Sequence, residues 1–156
     1  MPTQGGRPLR IPTWSEVLTT PDRLRRALNV WPPYLAAGIR VRELAPDYTR
    51  AVVTMSLHPL NRNYFGTHFG GSLFSMADPF WVFLVGARLG RDYVVWDQRA
   101  EIDFVRPGRT EVRTEFVLDP AVVEQIRAAA EGGEKVLWWF DNEIVDTSGE
   151  VVARVR

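Results

Sequence analysis

Alternation of apolar and polar positions dominates the chain. From Arg50 to Leu57, Ala51, Val53, Met55 and Leu57 fall on one face and Arg50, Thr54 and Ser56 on the other. That period of two predicts a half-buried strand. A weaker strand is predicted before it at Ile39–Leu44, with Ala45-Pro46-Asp47 as the turn between them. Further on, Tyr93–Val105 sets Val94, Trp96, Ala100, Ile102 and Phe104 against Asp97, Arg99, Glu101 and Asp103. Pro107-Gly108 reads as a tight turn. Thr110–Leu118 follows, with Val112, Phe116 and Leu118 inward, and Glu134–Val145 carries Val136, Trp138, Phe140 and Ile144 on one face. Asp146-Thr147-Ser148-Gly149 predicts a hairpin loop into a last strand at Val151–Val155.

One segment breaks this rhythm. Leu73–Leu89 is apolar all round, and a helix without a polar face must be buried on nearly every side. A single such helix among strands predicts an α+β fold, an antiparallel six-stranded sheet wrapped around one long central helix. Shorter helices flank it. Thr20-Pro21-Asp22 has the form of an N-cap, a first-position proline and a first-turn acid, with a helix to about Asn29. Trp31-Pro32-Pro33 ends that helix, and a second turn runs to Ala37. Asp119-Pro120 caps an amphipathic helix ending near Gly132-Gly133. Residues 1–12 read as a loose arm. The main domain is expected over 39–156, behind an arm and short helices over 1–38.

Composition narrows the chemistry. At 156 residues and 46% apolar content, the chain is one globular domain by size. Its formal net charge is zero, which argues against a nucleic-acid partner. The absence of cysteine excludes disulfides and thiolate chemistry. Two histidines ten positions apart, His58 and His68, suggest no metal site, and no cofactor is expected. The longest apolar run, Pro79 to Ala87, is too short to cross a bilayer. Gly5, Gly6, Arg7, Pro8 and Arg10 interrupt the N-terminus where a signal core would lie. A cytoplasmic protein without membrane contact is the expectation.

The stretch Asn63 to Ser72 carries the chemistry. Gly70-Gly71 opens the buried helix, where the first N–H groups lack helical partners at the positive end of the dipole. Such an end stabilises an oxyanion, or the glycines serve only close packing on the sheet. Asp78 lies inside the apolar helix, where desolvation raises a carboxyl pKa toward general-base duty. The alternative is a structural carboxylate answered by Arg88 or Arg99. Pro79 removes one helical N–H, frees the carbonyl of Ser75 and predicts a kink at Asp78. Gly70 and Asp78 stand eight residues apart, roughly 12 Å along one helix. One reacting group therefore reaches both only if a second subunit supplies one of them.

These residues resemble a known family. Asn63, Gly66-Thr67 and Gly70-Gly71, then Ala77-Asp78, then Ile102-Asp103-Phe104-Val105-Arg106-Pro107-Gly108 are similar to the hotdog acyl-CoA thioesterases of the PaaI type. Gly66–Ser72, Ala77–Pro79 and Val95–Asp97 resemble more closely an uncharacterised hotdog branch known as a domain of unknown function. The resemblance implies a homodimer, often paired into a tetramer, with an acyl-CoA-like thioester at the subunit interface and CoA only as part of the substrate. It implies helix-start donors at Gly70 and Gly71, a base or nucleophile at Asp78 from the partner subunit, and a loop asparagine at Asn63 that orients water or the thioester. Gly66, Thr67, His68, Phe69 and Ser72 fall in the matching loop as substrate contacts. Phe69 occupies the place where the thioesterases usually carry histidine, and His68 is one residue earlier. Trp81, Phe83, Trp96 and Phe74 are candidates for an acyl tunnel, and Arg62, Arg106 and Arg109 for CoA phosphates. Non-catalytic acyl-CoA or lipid binding is the second reading. An enoyl-CoA hydratase or dehydratase is the third and would require His68 in the site.

Overall fold

The computed structural model describes residues 20–156, so the expectation for residues 1–12 lies outside the described residues. Helix α1, Pro21–Val30, begins at Thr20, whose hydroxyl accepts from the Arg23 N–H at 3.3 Å. Helix α2, Pro32–Ala37, ends on Gly38 with φ +75°. Strands β1, Ile39–Leu44, and β2, Arg50–Met55, form an antiparallel hairpin. Two helices follow, α3 at Gly70–Ser75 and α4 at Phe80–Leu89. Then come β3, Ile102–Phe104, β4, Val112–Val117, helix α5, Pro120–Ala129, β5, Asn142–Asp146, and β6, Val151–Val155. Asp119 caps α5 by accepting from the Ala121 N–H at 2.8 Å.

The strands make one antiparallel sheet in the order β1-β2-β4-β5-β6-β3. Its concave face holds Ile39, Val41, Val53, Met55, Val112, Phe116 and Ile144, all essentially inaccessible to solvent. Against them lie Leu73, Met76, Phe80 and Leu84 of the central helical segment. The Phe80 and Phe116 rings meet at 5.0 Å between centroids. Burying such side chains is the main source of stability, roughly 1.5–3 kcal/mol for each large one.

The long central helix is present with the expected kink: it divides into α3 and α4 at Met76–Pro79, where Pro79 has no N–H to continue the ladder. Expectations for two strands are corrected. The strand expected over Tyr93–Val105 forms β3 only at Ile102–Phe104, with backbone hydrogen bonds reaching Glu101 and Val105, and the one expected over Glu134–Val145 pairs only from Asn142 onward. Both flank β6, and Arg156 bonds to Glu101 at the level where their pairing stops. The parity of the first also differs: Tyr93 and Val95 pack on the core, while Val94 and Trp96 are 82% and 65% exposed.

Candidate active site

Residues 58–69 form a loop held at its start by Asn61, which accepts from the His58 N–H and donates to the Ala37 and Ser56 carbonyls, and ordered over 63–68 by Asn63. Its side-chain oxygen accepts from the Phe65 and Thr67 N–H groups at 2.9 and 3.1 Å. Its amide donates to the Thr67 hydroxyl at 2.9 Å and to the His68 carbonyl at 3.1 Å. Gly66 turns the loop with φ +74°, and Thr67 is buried. All of the Asn63 hydrogen-bonding capacity is thus spent inside the loop.

His68 points inward. It is 4% exposed, and its Nε2 lies 2.8 Å from the Thr110 carbonyl, which can only accept. Nε2 therefore carries the proton, and Nδ1 is buried without a partner. Burial pushes this imidazole below the ordinary histidine range, partly opposed by the Thr110 carbonyl. The next residue, Phe69, is 57% exposed. It has no side-chain capping group, so the Gly70 and Gly71 N–H groups at the start of α3 find no acceptor among the described residues. Two rings lie over these glycines. A Cβ on Gly70 would stand 2.9 Å from the tip of Phe104, and one on Gly71 would stand 2.5 Å from the Phe69 ring. The Ser72 N–H continues the turn to the Phe69 carbonyl at 3.0 Å.

Asp78 sits in the break between α3 and α4. Its N–H reaches the Phe74 carbonyl at 3.1 Å. Its carboxylate has no hydrogen-bond or ion-pair partner among the described residues, so neither Arg88 nor Arg99 answers it. The Ser75 carbonyl that Pro79 leaves open accepts from the Tyr34 hydroxyl at 3.2 Å. Around Asp78 is a cleft of about 440 Å³ walled by Leu28, Trp31, Tyr34, Ser75, Pro79 and Phe83. The carboxylate opens to solvent, yet these walls remove enough water to push its pKa upward. Asp97 is raised as well, first by desolvation and then by the Asp78 charge. Tyr34 is raised by burial and by the same charge.

Other expected contacts lie elsewhere. Arg106 donates to the Val151 carbonyl at 3.1 Å and pairs with Asp146 at 2.5 Å, which together with Ser148 holds that carboxyl far below its usual range. Trp81 stacks on Phe140 at 4.2 Å between centroids and donates to Asn142 at 2.5 Å. It lines a separate cavity of about 900 Å³ with Trp96, whereas Phe83 lines the Asp78 cleft. Arg62 and Arg109 are exposed and form no ion pair among the described residues. Gly70 and Gly71 are not among the walls of the Asp78 cleft, so a single subunit does not join the two halves of the expected site. Asp97 and Tyr34 are additions. The first was legible only inside the Val95–Asp97 stretch. Nothing in the sequence tied the second to Asp78, 44 positions later. Among the described residues no cluster of histidine and carboxylates could hold a metal ion, and no helix is long and apolar enough to cross a membrane.

A family model described as Domain of unknown function (DUF4442) matches residues 22–156. No functionally curated protein matches the chain. Among solved structures it is similar to a Pseudomonas aeruginosa protein of unknown function described as a probable thioesterase. The two are 26% identical with a TM-score of 0.70, over 86% of this chain and 91% of that one. The phenylacetic acid degradation protein PaaI of Thermus thermophilus, in a mutant form, is 23% identical with a TM-score of 0.54, over 80% and 94%. A Haemophilus influenzae thioesterase is 13% identical with a TM-score of 0.60, over 87% and 85%. The architecture they share with this chain is the hotdog fold.

Proposed function

The chain belongs to the family described as Domain of unknown function (DUF4442), a branch of the hotdog thioesterase superfamily, and on that footing we propose that it hydrolyses an acyl-CoA-like thioester between two subunits. The observation that carries this reading is the unpartnered Asp78 carboxylate, raised in pKa, on the wall of an apolar cleft. Such a group takes a proton more readily than an ordinary carboxylate and lies beside a surface that suits an acyl chain. The helix-start amides of Gly70 and Gly71 are the matching electrophilic half, and a homodimer brings the Asp78 of one subunit to the α3 start of the other. Asp78 removes a proton from water, whose oxygen attacks the thioester carbonyl. The carbonyl oxygen becomes an oxyanion facing the two N–H groups. Collapse breaks the C–S bond, and the thiolate leaves and takes up a proton, yielding a carboxylic acid and a thiol. Direct attack by Asp78 gives the same products through an anhydride. Asn63 holds the loop that delivers Phe69 and Gly70, and Arg62 and Arg109 are exposed cations for CoA phosphates. The test is steady-state hydrolysis of a panel of acyl-CoAs by the wild type and Asp78→Asn, with sedimentation to establish the dimer. Equal rates in the two proteins would remove Asp78 from the mechanism.

A second reading has its own observation. The Phe69 and Phe104 rings cover the two glycines, as suits a site that holds an acyl chain without polarising its carbonyl. Native mass spectrometry showing a retained lipid, with no thioester turned over, would select non-catalytic binding.

A further inference from the structure

Two segments meet at His68: loop 58–69 and the 106–110 turn that follows β3. Among the described residues, both hydrogen bonds that join them come from this one residue. Its N–H donates to the Gly108 carbonyl at 3.0 Å and its Nε2–H to the Thr110 carbonyl at 2.8 Å. The turn is itself fastened to β6, because the Val105 and Arg106 N–H groups donate to the Val152 carbonyl at 2.9 and 3.2 Å. Each segment carries one ring that lies over the glycine pair. Phe69 follows His68 directly and its ring lies against Gly71, whereas Phe104, just before the turn, has its ring tip against Gly70. How one ring stands relative to the other is therefore set where His68 joins the two segments.

The His68 ring is confined. It converges with Val152 of β6 and Val112 of β4 within 3.6 Å of the point where a Gly108 Cβ would lie. The charged groups of the surrounding elements are engaged elsewhere or face solvent. Arg106 pairs with Asp146 and Glu111 with Arg42, while Arg62 and Arg109 are exposed. Burial and the Thr110 carbonyl are what act on the ring. A proton on Nδ1 would find no acceptor, since that atom is buried without a partner, and an unpaired charge is costly to bury. The ring takes a second proton only when loop and turn separate.

We propose that His68 is a positioning residue, whose hydrogen bond to the Thr110 carbonyl holds loop 58–69 on the 106–110 turn and so fixes Phe69 and Phe104 over Gly70-Gly71. It touches no reacting atom. With the bond broken, Phe69 moves with the loop and Phe104 stays with β3, and the two rings no longer frame one site. That a thioester carbonyl meets this frame rests on the function proposed above; how the frame is held does not.

Two readouts on the whole protein test it. The first is amide hydrogen exchange at 62–70 and 106–110, corrected for its intrinsic pH dependence, in the wild type, His68→Gln and His68→Ala. The alanine variant is expected to exchange about tenfold faster in both segments with β1, β2 and β4 still protected, and the glutamine variant, which keeps a donor, to match the wild type. From about pH 7 to pH 5 the wild type should move toward the alanine variant and the glutamine variant should not. The second is saturation kinetics with an acyl-CoA that the wild type hydrolyses, where kcat is expected to fall about tenfold in His68→Ala with KM little changed, and to recover in His68→Gln. Unchanged exchange in His68→Ala would overturn the proposal. So would equal losses in the two variants, because ring volume and not the hydrogen bond would then be what matters. If His68→Ala loses strand protection as well, the wild type and His68→Gln decide, and parallel pH dependence of their exchange overturns it. A wild type that turns over no thioester sinks the hydrolase reading instead, and the exchange result still decides this one.

Discussion

The Tyr34 hydroxyl donates to the Ser75 carbonyl across 3.2 Å, and that carbonyl is the one Pro79 cannot serve. A residue in the second short helix thus closes the gap that a proline opens in the central one, next to the carboxylate on which the proposed chemistry depends. Tyr34 is 2% exposed, so no water replaces its hydroxyl cheaply. Tyr34→Phe is expected to cost about 1 kcal/mol in chemical denaturation. In a Pro79→Ala background, where residue 79 regains an N–H for the same carbonyl, the cost of Tyr34→Phe should fall. An equal cost in both backgrounds would separate the two residues.

Asp78→Asn should lower thioester hydrolysis roughly 100- to 10,000-fold, the usual contribution of a general base. The working form is the carboxylate, whose pKa burial holds above 3.8. The wild-type rate should therefore fall as pH drops through that raised value, and a pH–rate profile reads it directly.

The same shift has a stability consequence of opposite sense. A carboxyl with a raised folded pKa binds more protons folded than unfolded, so its favourable contribution is present at low pH and lost as pH rises through the folded pKa. Asp78→Asn is expected to raise the melting temperature at neutral pH, with the gain vanishing below 3.8. Melting curves across pH compare the two proteins.

His68 works the other way. Its folded pKa lies below 6.5 because the ring is buried, so the unfolded chain takes up the proton first. Stability falls as pH drops from about 6.5 toward the folded value. His68→Gln, which keeps a donor for the Thr110 carbonyl but cannot titrate, should flatten the difference in stability between about pH 7 and pH 5. An unaltered slope would mean that another group governs acid sensitivity.

Gly108 supports His68 from above. A Cβ there would lie 2.9 Å from the His68 ring and 3.0 Å from a Val152 methyl, and the Gly108 carbonyl accepts from the His68 N–H at 3.0 Å. Gly108→Ala should cost about 1–3 kcal/mol by overpacking, measured by urea denaturation.

Much of the candidate site was legible because its signals are local. Pro79 beside Asp78 predicts the kink, and the break falls at Met76–Pro79. The glycine pair marks the helix start, and α3 begins at Gly70. The parity of 93–96 is not legible in the sequence, because a pattern of two does not say which alternate set finds a core. Tyr93 and Val95 pack against it, whereas Val94 and Trp96 do not. Arg106 looked like a loop cation, and only the β5–β6 hairpin showed Asp146 waiting for it.

The order of residues settled the local grammar: which segments alternate, which helix has no polar face, where proline interrupts it and which carboxylate lies beside the break. These follow from periodicity and from the covalent limits of single residues, which act over a few positions. It took the folded chain to establish that Tyr34 caps a carbonyl 41 residues away and that Asn63 is consumed by its own loop. Those outcomes depend on which distant surfaces meet, and a pattern along one chain does not carry that information.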